Sequence, residues 1–500
     1  MPRADVSDSI VSRLEGRYVT VMGLGLHGGG LATALFLFNR GARVTVTDLR
    51  GSRVLAPTVE QLPEGIRVVL GEHREVDFRS ADLVVKNPAV PRTVQYLEIA
   101  RAITTDIALF LAEWRRRTGA DRGALVGVTG TKGKSSTAAA TAALLTAAYP
   151  RTRLGGNITV SPLSFVDDLE PGDPVVLELS SFQLGDLNYC REKNAGSVGG
   201  AGPLDSASAT GYRDPVLYPQ LDANVGIVTP IFTDHQDYYS SMEDYVQDKV
   251  ELLRHLHTGG LSLVGSGEAW ETPFRTVTEE RSDVTTKVVG EELPGLLPRT
   301  LNVPGAHMRR NLYAAALAAQ HLLVPQDKIR DAAAAFSGVP HRLEKLGERS
   351  GIVLVNDTAA TVPEAALAAI RSFPPPLVLI AGGSDKGLDL TPIVTAAAET
   401  VREGGAVVLL AGTATERLQH LLRDAGVEVS QPENSLCTAF ARAVTRAVAC
   451  RRRAGGRTAT ILLSPGCASF GMFRNEFDRG DQFRDLAERF LSAGTIPVCT

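Results

Sequence analysis

No stretch of this chain reaches the roughly 18 consecutive apolar residues that a helical membrane span requires, which excludes a simple integral membrane protein. Cysteine is sparse as well: five in 500 residues (Cys190, Cys437, Cys450, Cys467 and Cys499), with no C-x-x-C pair among them. So odd and scattered a set argues against a disulfide framework and for a reducing compartment. Positive charge is not in excess, since 52 Lys and Arg stand against 56 Asp and Glu for a net −4. That excludes a broad attraction to nucleic acid and leaves room only for a local basic pocket. The opening segment MPRADVSDSIVSRLEGR carries charges throughout and lacks the apolar core of a secretory signal. No internal repeat or coiled-coil heptad is present. What is there is the composition of an ordinary soluble protein, 44% hydrophobic and 22% charged. The chain is too long for one core, so several domains and a cytoplasmic location are expected.

Strand and helix patterns alternate along three regions. In the first, the apolar run Tyr18–Met22 leads into GLGLHGGG, then an apolar helix, then a second strand ending at Asp48. Strand, glycine turn, helix and strand make a right-handed βαβ unit, the seed of a parallel doubly wound sheet. Alone, that turn suits a dinucleotide site or any tight βα connection. In the second region a helix near 106–117 precedes the strand 124–128, and further strands are expected at 174–179 and 225–229. Between these two, 191–220 is rich in Gly, Ala, Ser and Asp and reads as a surface loop or insertion. In the third, strands at 352–355, 377–381, 406–410 and 460–463 alternate with alanine-rich helices. The fold class is α/β.

The sharpest local signal is VGVTGTKGKSSTAAATAALL. A buried strand runs into Gly130, Thr131, Lys132, Gly133, Lys134, Ser135 and Ser136, and a helix starts there. Glycines let backbone N–H groups turn inward around an anion, and the helix N-terminus adds partial positive charge. Lys134 can neutralise the outer phosphates and the Ser135 hydroxyl can ligate Mg²⁺. The first glycine of the common P-loop spacing is replaced by Val128, and a plain glycine-rich turn with a solvated lysine is the bland alternative.

Downstream, VVLELSSFQL ends a strand on Glu178, a carboxylate at the edge where parallel sheets collect ligands. TDHQDYYSSMEDYVQDK then offers His235, Asp237 and Lys249. Mg²⁺ prefers oxygen ligands, which suits Glu178 and leaves His235 an unusual choice. Taken singly, Glu178 is a strand-end charge and His235 a surface histidine.

Order along the chain changes this. GTKGKS, ELSSFQL, DHQDYYSSMEDYVQDK, GAHMRRNLYAAALAA, HRLE, NDTAAT, GGSDKGLD and LLSPGCASFGMFRNEFDRG together resemble the Mur ligase family, in its glutamate-adding branch, over nearly the whole chain. The resemblance implies three domains: a Rossmann-like UDP-substrate domain (1–104), a P-loop ATPase-type domain with a mainly parallel sheet (105–339), and a Rossmann-like amino-acid domain (340–500). It implies ATP and two Mg²⁺ ions, with Ser135, Glu178, His235 and a carbamylated Lys249 as metal ligands. Lys134, Glu178, His235 and Lys249 then form the catalytic group. Asn311 would face adenine, and Arg342 and Asp357 would reach the nucleotide when the C-terminal domain closes. Thr361, Lys386 and Ser469 would bind glutamate, since a dicarboxylate needs a cation and several donors. The N-terminal glycine turn would hold a UDP-sugar through Leu26, His27, Gly28 and Asp48, with Asn87, Asn157, Ser180 and Gln183 as further contacts.

The implied reaction is ATP-dependent ligation of D-glutamate to UDP-N-acetylmuramoyl-L-alanine through an acyl phosphate, in the cytoplasmic steps of peptidoglycan biosynthesis. A monomer is expected, with no nucleic-acid or membrane partner. Two departures bear on the amino-acid pocket: Ala359 replaces a lysine, and Glu476 stands where an aromatic is usual. They keep an L-glutamate-adding variant open. A folylpolyglutamate synthase-like ligase and a non-catalytic nucleotide-binding relative are the other readings.

Overall fold

The computed structural model describes residues 10–25, 28–119, 122–157, 160–196, 214, 216–236, 238–265, 270–290, 295–303, 305–385, 388–469 and 471–495. It contains three sheets. The first is all parallel, in the order β3-β2-β1-β4-β5, from Tyr18–Met22 (β1), Arg43–Asp48 (β2), Arg67–Leu70 (β3), Leu83–Lys86 (β4) and Ile103–Thr105 (β5). The second, also parallel, runs β11-β10-β9-β6-β8-β7. Its strands are Leu125–Thr129 (β6), Arg153–Gly156 (β7), Val175–Glu178 (β8), Ala223–Val228 (β9), Leu256–Gly265 (β10) and Thr285–Val289 (β11). The third runs β12-β13-β16-β14-β15, from Glu344–Arg349 (β12), Ile352–Asn356 (β13), Leu377–Ala381 (β14), Ala406–Leu409 (β15) and Ala459–Leu463 (β16). Only β12 is antiparallel to its neighbour there.

The chain divides into two compact units, Met1–Pro298 with Arg310–Ala333, and Arg299–Arg309 with Ala334–Thr500. The first unit carries the first two sheets. One apolar core runs through both, and the helix Asp106–Thr118 buries Ile107, Leu109, Phe110, Leu111 and Trp114 completely within it. Each such side chain contributes about 1.5–3 kcal/mol by leaving water. The second unit carries the third sheet, covered on both faces. Leu377, Leu379 and Ala381 pack into one core and Val378 and Ile380 into the other. Burial on both faces makes these strands continuous apolar runs.

The P-loop strand β6 lies between β8 and β9, where the strand order reverses, and β1 occupies the same place between β2 and β4. Crevices at such switch points are where open α/β sheets bind ligands. One expectation is corrected here. The stretch 191–196 is not loop but the end of the helix Ser181–Gly196, fixed by Arg191 on Glu251 and by Asn194, whose amide donates to the Ile103 and Leu217 carbonyls. Of the rest of the expected insertion, 197–213 and 215 lie outside the described residues, while Val216 and Leu217 are not surface residues but are buried in the core.

Cys190, Cys450 and Cys467 are buried and outside any disulfide, whereas Cys437 is disulfide-bonded, which the scattered, odd set of cysteines did not lead one to expect. Among the described residues no helix is long and apolar enough to cross a membrane.

Candidate active site

β6 ends at Thr129, and the loop after it turns on two glycines. Gly130 has φ 141°, and a Cβ there would collide with Thr229. Gly133 has φ 90° and caps the helix Lys134–Thr146, and a Cβ would stand 3.0 Å from Asn311 Oδ1. Left-handed backbone and lack of space both demand glycine at these positions. Asn311 is thereby placed beside the loop, in the first unit. The Thr131 and Lys132 amides donate to the Pro230 carbonyl beyond β9, at 2.9 and 3.3 Å. These two N–H groups are therefore not turned inward as the loop's sequence suggests. Thr137 N is the first amide bonded within the helix, to Gly133 O, so the anion-facing end is the first turn, 134–136. Ser135 and Ser136 are buried in that turn, and Lys134 Nζ donates to Thr131 O at 3.0 Å.

Three further groups approach this loop. Glu178, paired in register with Val128, is 2% exposed, and its Oε2 has no hydrogen-bond partner among the described residues. Lys249, on the helix Met242–Arg254, is 1% exposed. Its Nζ donates to Gly130 O at 2.9 Å and sits 4.4 Å from the Tyr245 ring centroid. Tyr245 OH in turn bonds Thr131 Oγ1 at 2.8 Å. Burial, and then the charge of Lys134, hold the Lys249 amine well below its ordinary range, against the pull of Asp234, Asp248 and Glu178.

His235 is the third. It adopts a left-handed backbone, φ 55°, steadied by its amide on Asp234 Oδ1. Its half-exposed ring packs 4.8 Å from Phe182, the aromatic of ELSSFQL. Asp237 of the same segment lies outside the described residues. A positive φ on a non-glycine residue is unusual enough to mark a constrained site.

No group of three or more His, Cys, Asp or Glu side chains gathers as a metal cage among the described residues. Mg²⁺ does not need one, because phosphate oxygens and water fill most of its sphere. A buried carboxylate oxygen without a partner is the vacancy such a cation would fill, so Glu178 fits the ion. Lys249 as an ammonium does not, and as a carbamate would.

The predicted UDP-substrate residues divide. Leu26 and His27 lie outside the described residues. Gly28, φ 83°, caps the helix Gly29–Phe38. Asp48 ends β2, and its carboxylate accepts from Gly25 N at 3.0 Å and Arg50 N at 2.9 Å, so it shapes the glycine turn. Asn87 ties the loop after β4 to Gly23 O at 3.3 Å. Ser180 and Gln183 bond each other across the first turn of the helix Ser181–Gly196, Gln183 Oε1 accepting from Ser180 N. This capping pair engages the Ser180 hydroxyl and the Gln183 side-chain oxygen. Asn157 is exposed, with its amide on Glu178 O at 2.8 Å.

In the second unit, Asp357 follows β13 and is 4% exposed. It accepts from Ser464 Oγ at 2.7 Å and Leu343 N at 3.0 Å, anchoring the turn that carries exposed Arg342. Arg479, fully buried, reaches Thr358 O at 3.0 Å and the Cys467 carbonyl, joining the loops that hold Thr361 and Ser469. Ser469 Oγ is buried with no partner among the described residues. Thr361 and 466–468 line one small crevice. Lys386 lies outside the described residues.

Burial pushes the Asp357 carboxyl up to about 7, against its two hydrogen bonds and the charge of Arg342. Because the folded value exceeds the unfolded one, the stabilisation is complete in acid. It is lost as pH rises through about 7. Asp357→Asn cannot ionise, so between pH 5 and 8 it should escape a loss of roughly 2–3 kcal/mol that the wild type suffers. Urea midpoints of both proteins at the two pH values check this, and equal pH slopes would contradict it.

Residues 17–109 match the family model described as Mur ligase MurD-like, N-terminal domain, and 207–293 match the Mur ligase middle domain. The chain belongs to the Mur ligase family. Within it, the chain is 39% identical to the UDP-N-acetylmuramoylalanine--D-glutamate ligase of Roseiflexus sp. (strain RS-1), covering 96% of this chain and 100% of that one. The enzyme of the same name from Treponema pallidum (strain Nichols) is 36% identical, over 94% and 97% of the two chains. Solved structures share the fold. MurC from Thermotoga maritima superposes with TM-score 0.52 at 18% identity, over 95% of this chain and 100% of that one. MurF from Acinetobacter baumannii gives 0.53 at 13% identity, over 89% and 91%.

Proposed function

We propose that this chain joins D-glutamate to UDP-N-acetylmuramoyl-L-alanine at the expense of ATP, releasing ADP and phosphate. The near full-length likeness to ligases of that name supports the substrates. The observation that carries the chemistry is the convergence of Lys134, Lys249 and the unpartnered Glu178 oxygen on the loop at Gly130.

In this reading 1–104 binds the UDP-sugar, 105–339 binds ATP, and 340–500 binds the amino acid. The first turn at 134–136 and the Lys134 ammonium hold the outer phosphates, and Asn311 faces the adenine. The terminal alanine carboxylate attacks the γ-phosphorus, forming an acyl phosphate and ADP. The glutamate amine then adds to the acyl carbon, loses a proton, and phosphate leaves. Phosphoryl transfer of this kind depends on alignment and charge neutralisation more than on covalent help. Ser135, Glu178, His235 and carbamylated Lys249 would hold Mg²⁺, which would supply further neutralisation of the phosphates. Arg342 and Asp357 serve the nucleotide, and Thr361, Lys386 and Ser469 serve the glutamate carboxylates.

Ala359 and Glu476 keep the amino acid's hand the least constrained part. Phosphate release from ATP, Mg²⁺ and UDP-N-acetylmuramoyl-L-alanine, with D- or L-glutamate added, tests the proposal. Turnover is expected only with all substrates present and with D-glutamate preferred. Preference for L-glutamate would correct the substrate, and no nucleotide consumption with either would overturn the reaction.

A further inference from the structure

The buried charges that the proposed chemistry leaves unused meet at one guanidinium. Lys86, the fully buried last residue of β4, sets its ammonium on Asp186 of the helix Ser181–Gly196. Arg92, on the loop that follows β4, donates Nε to Asp186 Oδ1 at 2.8 Å. It donates its other two nitrogens to the two oxygens of Asp248, at 3.1 and 2.6 Å. The Tyr239 hydroxyl donates to Asp248 Oδ2 at 2.8 Å. Gly185 leaves the room: a Cβ there would coincide with Arg92 Nη2 and the Asp248 carboxylate.

Three segments remote in sequence are thus clamped together. One is the loop carrying Asn87, one is the helix that starts just after Glu178, and one is the helix that carries Lys249. Such a network adds little net stability over apolar packing, because desolvation offsets much of the attraction. What a two-pronged guanidinium–carboxylate pair does supply is a single geometry. Asp248 and Lys249 are consecutive on a helix, so their side chains diverge by about 100°. One faces Arg92 while the other faces the Gly130 carbonyl. Any roll of that helix moves both.

Resting on the role proposed for Lys249, we infer that Arg92 is a positioning residue, which acts through Asp248 to set the rotation of the Met242–Arg254 helix and hence the place of Lys249 at the phosphate loop. The same guanidinium ties that helix to the substrate-side loop at Asn87. Arg92 and Asp186 fall in none of the family segments, and Asp248 falls in one only as the neighbour of Lys249.

The test compares Arg92→Ala with wild type in steady-state phosphate release, and again in a Lys249→Ala background supplied with formate. A misplaced group of this kind costs on the order of 100-fold in kcat, with the KM for ATP changing less than about threefold. Formate finds its own place, so the loss caused by Arg92→Ala is expected to shrink below about threefold in the formate-supplied background. Asp248→Asn keeps the volume and the Tyr239 contact. Should Arg92→Ala fail to fold, Asp248→Asn carries the same test, with a smaller kcat fall of about tenfold. A kcat within twofold of wild type for the folded variant, or an undiminished loss in the formate-supplied background, would overturn the inference. Wild-type turnover by Lys249→Ala alone would instead overturn the role of Lys249 on which it rests.

Discussion

With alanine in place of Lys134, ATP-dependent phosphate release is expected to fall about a thousand-fold or more, with the protein still folded. Lys134 begins the helix Lys134–Thr146, where its ammonium joins the partial positive charge of the helix end. Its charge is felt by the neighbouring Lys249 amine, so the loop concentrates cationic character. That is a preorganised arrangement for the charge that develops on the transferring phosphoryl group. The side chain's bond to Thr131 O stays within its own loop, and alanine is a better helix former than lysine. Loss of activity should therefore come without loss of fold. Circular dichroism and steady-state phosphate release on the same preparation separate the two, and wild-type turnover would remove the loop from the mechanism.

Lys249→Ala should be nearly as damaging, by at least about 100-fold, and should recover partly when a short carboxylate such as formate is added. A carbamate forms when a neutral amine takes up CO₂ and releases a proton, leaving N–H and a carboxylate. Burial and the adjacent Lys134 shift the amine toward the neutral form that this step requires. A carbamate nitrogen would retain one N–H for the bond to Gly130 O while adding two oxygens to the site. If Lys249 served only to pin the loop through that carbonyl, alanine would still damage activity. Formate would then restore nothing.

Much of the fold was legible because parallel strands buried on both faces read as unbroken apolar runs. Tyr18–Met22 and Leu377–Ala381 carry the boundaries expected of them. The strands without such runs gave no signal. β12 reads EKLGER on an edge, and β7 reads RLGG. At the site, the spacing of glycine, lysine and serine marks the phosphate loop because the chemistry needs those types in that order. Which amides face the anion depends on Pro230, a hundred residues away, and no local pattern announces it. Ser180 and Gln183, expected at the substrate, also form a capping pair that the S-x-x-Q spacing already contained. Arg92 and Asp186 lie in no family segment and Asp248 stands in one without a named role, so nothing local announces a partnership that folding makes.

The account centres on transfer of the γ-phosphoryl group to a sugar-linked carboxylate. Substrate labelled with ¹⁸O in both oxygens of its alanine carboxylate addresses this directly. Phosphate expelled from the acyl phosphate by the glutamate amine carries one carboxylate oxygen away with it, so mass spectrometry of the released phosphate should show a single ¹⁸O per molecule alongside ADP. Label appearing in AMP with pyrophosphate, or phosphate released unlabelled, would contradict it.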